Sequence, residues 1–171
     1  MVYTLKRILT RGLAVYAVLA ALILAFAFAD GAIAVEIDRA NRTVPLDDSG
    51  QRATLTVEQF SQGQREFNSS CAQCHIDGST KTNPDVDLSP ETLANATPAR
   101  DNIKSIVDYL NEPTTYDGLR SIAELHPSKP NADIFPTMRN LSNEDLAAIA
   151  GYILAEPNIV GEQWGGGKPR R

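Results

Sequence analysis

Sulfur and imidazole are scarce in this 171-residue chain, which has two cysteines, two histidines and two methionines, one of the methionines at position 1. Two cysteines cannot build the disulfide framework of a small secreted fold, nor a four-thiolate metal site. A structural zinc site would need a second Cys/His pair, and none is present. A thioredoxin-like redox pair would want a strand–helix setting within a parallel sheet, and no such pattern surrounds the cysteines. The chain also lacks internal repeats and low-complexity segments. What remains is Cys71-Ala72-Gln73-Cys74-His75, which uses both cysteines at once. C-x-x-C-H is the attachment signature for c-type haem. Two thiols three positions apart share one face of a helical turn and can both reach the vinyl-derived carbons along one porphyrin edge. The imidazole that follows them points at the iron as its proximal ligand.

The N-terminus agrees with that reading. Lys6, Arg7 and Arg11 form a basic n-region, Leu13 to Phe28 is uninterrupted apolar sequence, and Ala32-Ile33-Ala34 is an A-x-A cleavage pattern. A retained anchor is the alternative, but the apolar run falls short of the roughly 20 residues of a spanning helix and is rich in alanine. Residues 1–34 are therefore expected to be a cleaved signal peptide, which delivers the chain to the compartment where covalent haem attachment takes place. The remaining 137 residues amount to one domain. They hold 13 basic against 20 acidic residues, a formal −7. Such a balance argues against nucleic acid and anionic lipid as partners.

Thr43-Val44-Pro45-Leu46 and Ala53-Thr54-Leu55-Thr56 are β-prone runs around Asp47-Asp48-Ser49-Gly50, a turn signal, and predict a small hairpin. Pro45 confines its strand to an edge. Thr56 as N-cap and Gln59 in the capping-box position open a helix that carries Phe60, Gly63 and Phe67 on one face and ends before the cysteines. Gly63 is the candidate for a close crossing with the C-terminal helix. A second helix is expected from Asp101 to Asn111, with Ile103, Ile106, Val107 and Leu110 as its apolar stripe and Pro113 beyond its end. The last helix starts at Ser142, its N-cap, with Asp145 at the third helical position. Leu146, Ile149, Ala150 and Ile153 form its buried face, and Pro157 is expected to close it. Short helices, long loops and one minor hairpin describe an all-α, class I-like monohaem cytochrome c fold. The expected organisation is a hairpin extension over 35–57, a haem domain over 58–157 and a tail over 158–171. In so small a domain the haem supplies much of the core.

The sixth iron ligand is a choice between His126, in Glu124-Leu125-His126-Pro127, and Met138, in Phe135-Pro136-Thr137-Met138. Soluble carriers place a methionine a few residues ahead of the C-terminal helix, which here points near Ile134, so Met138 lies too close to that helix. His126 is also off the expected position, but its Pro-bounded loop is free to fold over the haem, and it is preferred. Two imidazoles lower the potential relative to imidazole plus thioether.

Several further runs are shared with one family. They include Thr80-Lys81-Thr82-Asn83-Pro84, Leu93-Ala94-Asn95-Ala96-Thr97-Pro98, Arg100-Asp101-Asn102-Ile103 and Val107-Asp108-Tyr109. Others are Pro113-Thr114-Thr115-Tyr116-Asp117-Gly118, Glu124-Leu125-His126-Pro127-Ser128, Ala132-Asp133-Ile134-Phe135-Pro136, Met138-Arg139-Asn140-Leu141 and Trp164-Gly165-Gly166-Gly167-Lys168. With the haem motif, they make the chain resemble the cytochrome c-550 family, extrinsic lumenal subunits of photosystem II in cyanobacteria and some algae. The resemblance implies one covalent haem c on Cys71 and Cys74, with His75 and His126 as axial iron ligands. It implies a subunit without turnover of its own, peripheral on the lumenal thylakoid face, that docks on the photosystem II core and other extrinsic subunits. There it would shield the manganese–calcium cluster and help retain calcium and chloride. The hairpin would be part of the docking surface, and Trp164 would begin a tail directed at the complex. Pro169-Arg170-Arg171 departs from the aromatic endings of the family, and guanidinium groups cannot replace a buried aromatic contact. The competing readings are a diffusible electron carrier of the lumen or periplasm, a small haem peroxidase with an open sixth position, and a paralogue with another partner.

Overall fold

The computed structural model describes residues 38–166. The expected leader and the Pro169-Arg170-Arg171 ending lie outside them. Strands β1 (Thr43–Pro45) and β2 (Arg52–Thr54) pair antiparallel, with Val44 opposite Ala53. The turn forms because Asp47 Oδ1 accepts hydrogen bonds from the backbone and hydroxyl of Ser49, at 2.9 and 2.6 Å, and Gly50 supplies φ +86°. β2 starts one residue before its expected position and stops short of Thr56, whose side chain is committed to the next helix. The hairpin is fastened to the body by Asn102 Nδ2–H to Asp48 Oδ1 at 2.7 Å and Lys104 N–H to Leu46 O at 3.0 Å.

Helix α1 (Val57–Ser70) opens with the expected capping box between Thr56 and Gln59 and buries Phe60, Gly63 and Phe67. The one-turn helix α2 (Ala72–His75) follows at once. Helix α3 (Pro90–Ala94), capped by Ser89, was not expected from periodicity because five residues carry no pattern. Helix α4 (Ile103–Asn111) begins after Asn102, whose side chain caps it, and buries Ile103, Ile106 and Leu110. Helix α5 (Asn143–Val160) has the expected Ser142/Asp145 capping box.

Pro157 does not close α5, which runs on to Val160. A proline forfeits its own N–H bond and crowds the carbonyl of the preceding turn, yet the helix continues past it to Val160. Gly161, at φ +63°, ends the helix instead. α5 also buries Ala148, Gly151, Tyr152 and Ala155 beside the four expected residues, so it is a central helix covered on more than one face rather than an amphipathic one.

α1 crosses α5 at Gly63, where a Cβ would lie 2.0 Å from the carbonyl oxygen of Ala148. Phe60 and Phe67 of α1 bracket Tyr152 of α5, with ring centres 5.4 and 5.3 Å away. Trp164 completes this cluster at 5.6 Å from Phe67 and 5.8 Å from Tyr152. Its indole N–H donates to Leu88 O at 2.9 Å, and the ring lies over Gly78, where any Cβ would come within 2.6 Å of it. Gly165 N–H then bonds Asp77 O at 2.8 Å. The residues after α5 are thus fastened to the loop that follows the cysteines.

Candidate functional site

The cysteines sit where α1 gives way to α2. Cys71 N–H still bonds Phe67 O at 2.8 Å, ending α1, while Cys71 O accepts the N–H groups of Cys74 and His75 at 3.1 and 2.9 Å. This tight turn puts two unpaired thiols and one imidazole on a single short segment. Cys74 is exposed and Cys71 is half-buried; burial, helped by the neighbouring Cys74, pushes the Cys71 thiol up to about 12. The His75 ring is held by Thr80, whose Oγ1 lies 3.0 Å from Nδ1. Thr80 is buried, and Lys81 N–H to Cys74 O at 3.0 Å brings it back over the turn.

His126 arrives from the opposite side on the long segment between α4 and α5. That segment is drawn together by a β-bridge between Thr114 and Ser121 and by Ile122 N–H to Pro113 O at 2.9 Å. His126 N–H then closes a turn on Ile122 O at 2.8 Å. Its Nδ1 lies 2.9 Å from the carbonyl of Pro127. A carbonyl only accepts, so the proton is on Nδ1 and Nε2 keeps its lone pair. Burial first, and then the nearby His75 ring, holds the imidazole down to about 4. Burial also lowers His75 below its ordinary value, partly opposed by a backbone hydrogen bond to Ser79. In both rings burial disfavours the protonated form, and a neutral imidazole is the form that ligates a metal.

The two ring centres are 6.1 Å apart, inclined at 52°. A metal–imidazole bond is about 2.0 Å and each ring centre lies about 1.1 Å beyond its nitrogen, so two imidazoles sharing one metal have centres roughly 6.2 Å apart. The donor set, its spacing and the Nδ1 partners on both rings fit a six-coordinate haem iron with the two thiols along one edge.

The other candidate for the sixth position is elsewhere. Met138 is 1 % exposed and packs in the hydrophobic core, with its carbonyl accepting from Lys129 Nζ at 3.2 Å. Ile134, near the position at which soluble carriers place a methionine, is exposed. Sequence reasoning assigned no role to Thr80; a hydroxyl five residues past a haem-motif histidine carries no local signal, because its partnership depends on how the loop returns.

Both the sequence and the fold are similar to those of known proteins. The model of a cytochrome c-550 domain matches residues 35–171. Photosystem II extrinsic protein V of Cyanothece sp. is 61 % identical over 137 residues, 80 % of this chain and 85 % of that protein. The protein of the same name from Porphyra purpurea is 62 % identical over 135 residues, 79 % of this chain and 83 % of its own. Among solved structures, cytochrome c549 superposes with a TM-score of 0.73 at 55 % identity, covering 75 % of this chain and 99 % of that one. The PsbV2 cytochrome of Thermosynechococcus elongatus gives 0.61 at 33 % identity, covering 72 % and 87 %.

Proposed function

The chain belongs to the cytochrome c-550 family, and on that premise we propose that it is a bis-imidazole c-type cytochrome serving as an extrinsic, lumenal subunit of photosystem II. The observation that carries the ligand assignment is the pair of imidazoles 6.1 Å apart beside a C-x-x-C turn. Cys71 and Cys74 would tether the haem by thioethers, with His75 and His126 as axial ligands. Bound, the haem supplies one-electron chemistry at its iron. Thr80 and the Pro127 carbonyl orient the two rings through Nδ1 and leave Nε2 free. Imidazole on both sides favours the ferric state and a low potential. Were His75 and His126 both to hold the iron, a peroxidase would have nowhere to bind its oxidant, and a stabilising subunit without turnover is the better reading.

The partner comes from the relatives. Identity to proteins named photosystem II extrinsic protein V is about twice that to the PsbV2 cytochrome, 61 against 33 %, which favours the subunit over a paralogue with another partner. In that role the protein would shield the manganese–calcium cluster and help retain calcium and chloride. The family match begins at Val35, directly after the A-x-A pattern, in keeping with a signal over 1–34 and a lumenal mature domain.

The test is rebinding. Photosystem II particles stripped of extrinsic subunits are given the purified mature holoprotein, and oxygen evolution is followed without added calcium and chloride. Stoichiometric binding with restored evolution is expected. No binding by a protein with intact bis-imidazole haem would overturn the assignment in favour of a free carrier or diverged paralogue.

A further inference from the structure

Arg100 is a buried cation that the haem assignment leaves unexplained. It is 7 % exposed, and among the described residues no carboxylate pairs with it, the two ion pairs being Lys104–Asp108 and Arg139–Asp133. Taking a guanidinium out of water without a counter-charge is costly, so what it touches matters. One nitrogen, Nη2, donates to the carbonyls of Thr114 and Thr115 at 3.1 and 3.0 Å. The guanidinium carbon lies 3.9 Å above the centre of the Tyr109 ring, within cation–π range. Tyr109 in turn meets His126 nearly edge-on, with ring centres 5.0 Å apart at 64°. The backbone of Arg100 is itself fixed, through its N–H to Leu93 O at 2.9 Å.

These contacts join three pieces of the chain. Arg100 precedes α4, Tyr109 lies on α4, and Thr114 and Thr115 begin the segment that ends in His126. Among the described residues, the rings that meet the His126 imidazole are those of His75 and Tyr109. We infer that Arg100 and Tyr109 form a distal clamp: Tyr109 sets the plane of the His126 ring, and Arg100 holds both Tyr109 and the root of the His126 segment while placing one positive charge beside the iron site. Both are positioning residues, and the inference rests on His126 being the sixth ligand. A fixed positive charge near the iron favours the ferrous state, so the clamp would make the potential less negative than two imidazoles alone would set it.

The test uses the holoprotein and four variants: Arg100→Gln, Arg100→Lys, Tyr109→Leu and Tyr109→Phe. Readouts are redox titration, EPR of the ferric form, carbon monoxide binding to the ferrous form and hydrogen exchange at the Ile122 and His126 amides. Arg100→Gln is expected to lower the midpoint potential and quicken exchange at both amides. Arg100→Lys keeps the charge and is expected to hold the potential near that of the parent while exchange still quickens. Tyr109→Leu is expected to alter the ferric EPR signature and to tighten apparent carbon monoxide binding about tenfold, the scale of one lost buried contact on an opening equilibrium. Tyr109→Phe keeps the ring and is expected to restore parental values. Lower melting temperatures with potential, EPR and carbon monoxide binding unchanged in Arg100→Gln and Tyr109→Leu would reduce the pair to packing and overturn the clamp. A parent protein without a bis-imidazole ferric signature would overturn the ligand assignment, and the clamp with it.

Discussion

At the scale of the residue, single atoms decide much of this structure. Gly63 is the sharpest case, because a methyl group there would meet a backbone carbonyl, Ala148 O, at 2.0 Å and Tyr152 Cβ at 2.9 Å. Neither neighbour is the free end of a side chain, so α1 and α5 would have to separate. Gly63→Ala is expected to lose about 3 kcal/mol of stability, at the upper end of ordinary overpacking, read as a lower denaturant midpoint. At the site, His126→Met should raise the midpoint potential, since a thioether favours ferric iron less than imidazole does; an unchanged potential and spectrum would take His126 off the iron. The four candidate site residues could be named from the sequence because the chain has only two thiols and two imidazoles, and the structure brings the two imidazole rings to 6.1 Å. Thr80, Tyr109 and Arg100 were not legible as functional residues. Their roles arise from contacts between segments, and no spacing along the chain announces a hydroxyl, a ring edge or a cation that acts through someone else's imidazole.

At the scale of the element, capping carried the sequence reading furthest. Thr56/Gln59 and Ser142/Asp145 were both placed correctly because a capping box is written within four residues. The proline stop failed for α5, which continues past Pro157 to Val160, and α3 went unseen because one turn has no period. Ser142 Oγ accepts the Asp145 N–H at 3.2 Å and donates to Asp145 Oδ2 at 2.8 Å, so Ser142→Ala should cost about 1 kcal/mol, measured as a fall in melting temperature. Its partner Asp145 accepts from Ser142 N–H at 2.7 Å and from Gln62 Nε2 at 2.6 Å. These bonds, the backbone one foremost, hold its carboxyl below the ordinary 3.8. A depressed carboxylate contributes stability that is fully present above its unfolded value and is lost as pH falls through the folded one. Asp145→Asn should therefore be less stable than the parent at neutral pH, with the difference shrinking below about pH 4. Urea melts across that range would show two curves converging on the acid side; parallel curves would remove Asp145 from the acid limb.

At the scale of the whole molecule, the fold is a bracket of α1 and α5 with two long connections laid around a place for haem. The class was readable from helix count and loop length. The returns of those connections were not, because they are held by single backbone bonds such as Lys81 N–H to Cys74 O and Ile122 N–H to Pro113 O. A domain so arranged depends on its cofactor for core. Cys71→Ala or Cys74→Ala, each leaving one thioether, is expected to lower the melting temperature of the holoprotein, and covalent haem surviving loss of both thiols would refute the attachment site. One contact reaches further than stability. Gly78 and Trp164 stand 86 positions apart, yet a Cβ at the first would lie 2.6 Å from the ring of the second. In inheritance they form a single trait: a side chain gained at one requires a ring lost at the other. Any lineage of this protein that keeps the indole is therefore held to glycine at 78, and one that loses the ring still meets the backbone nitrogen of Gly165, 2.9 Å from any Cβ placed there.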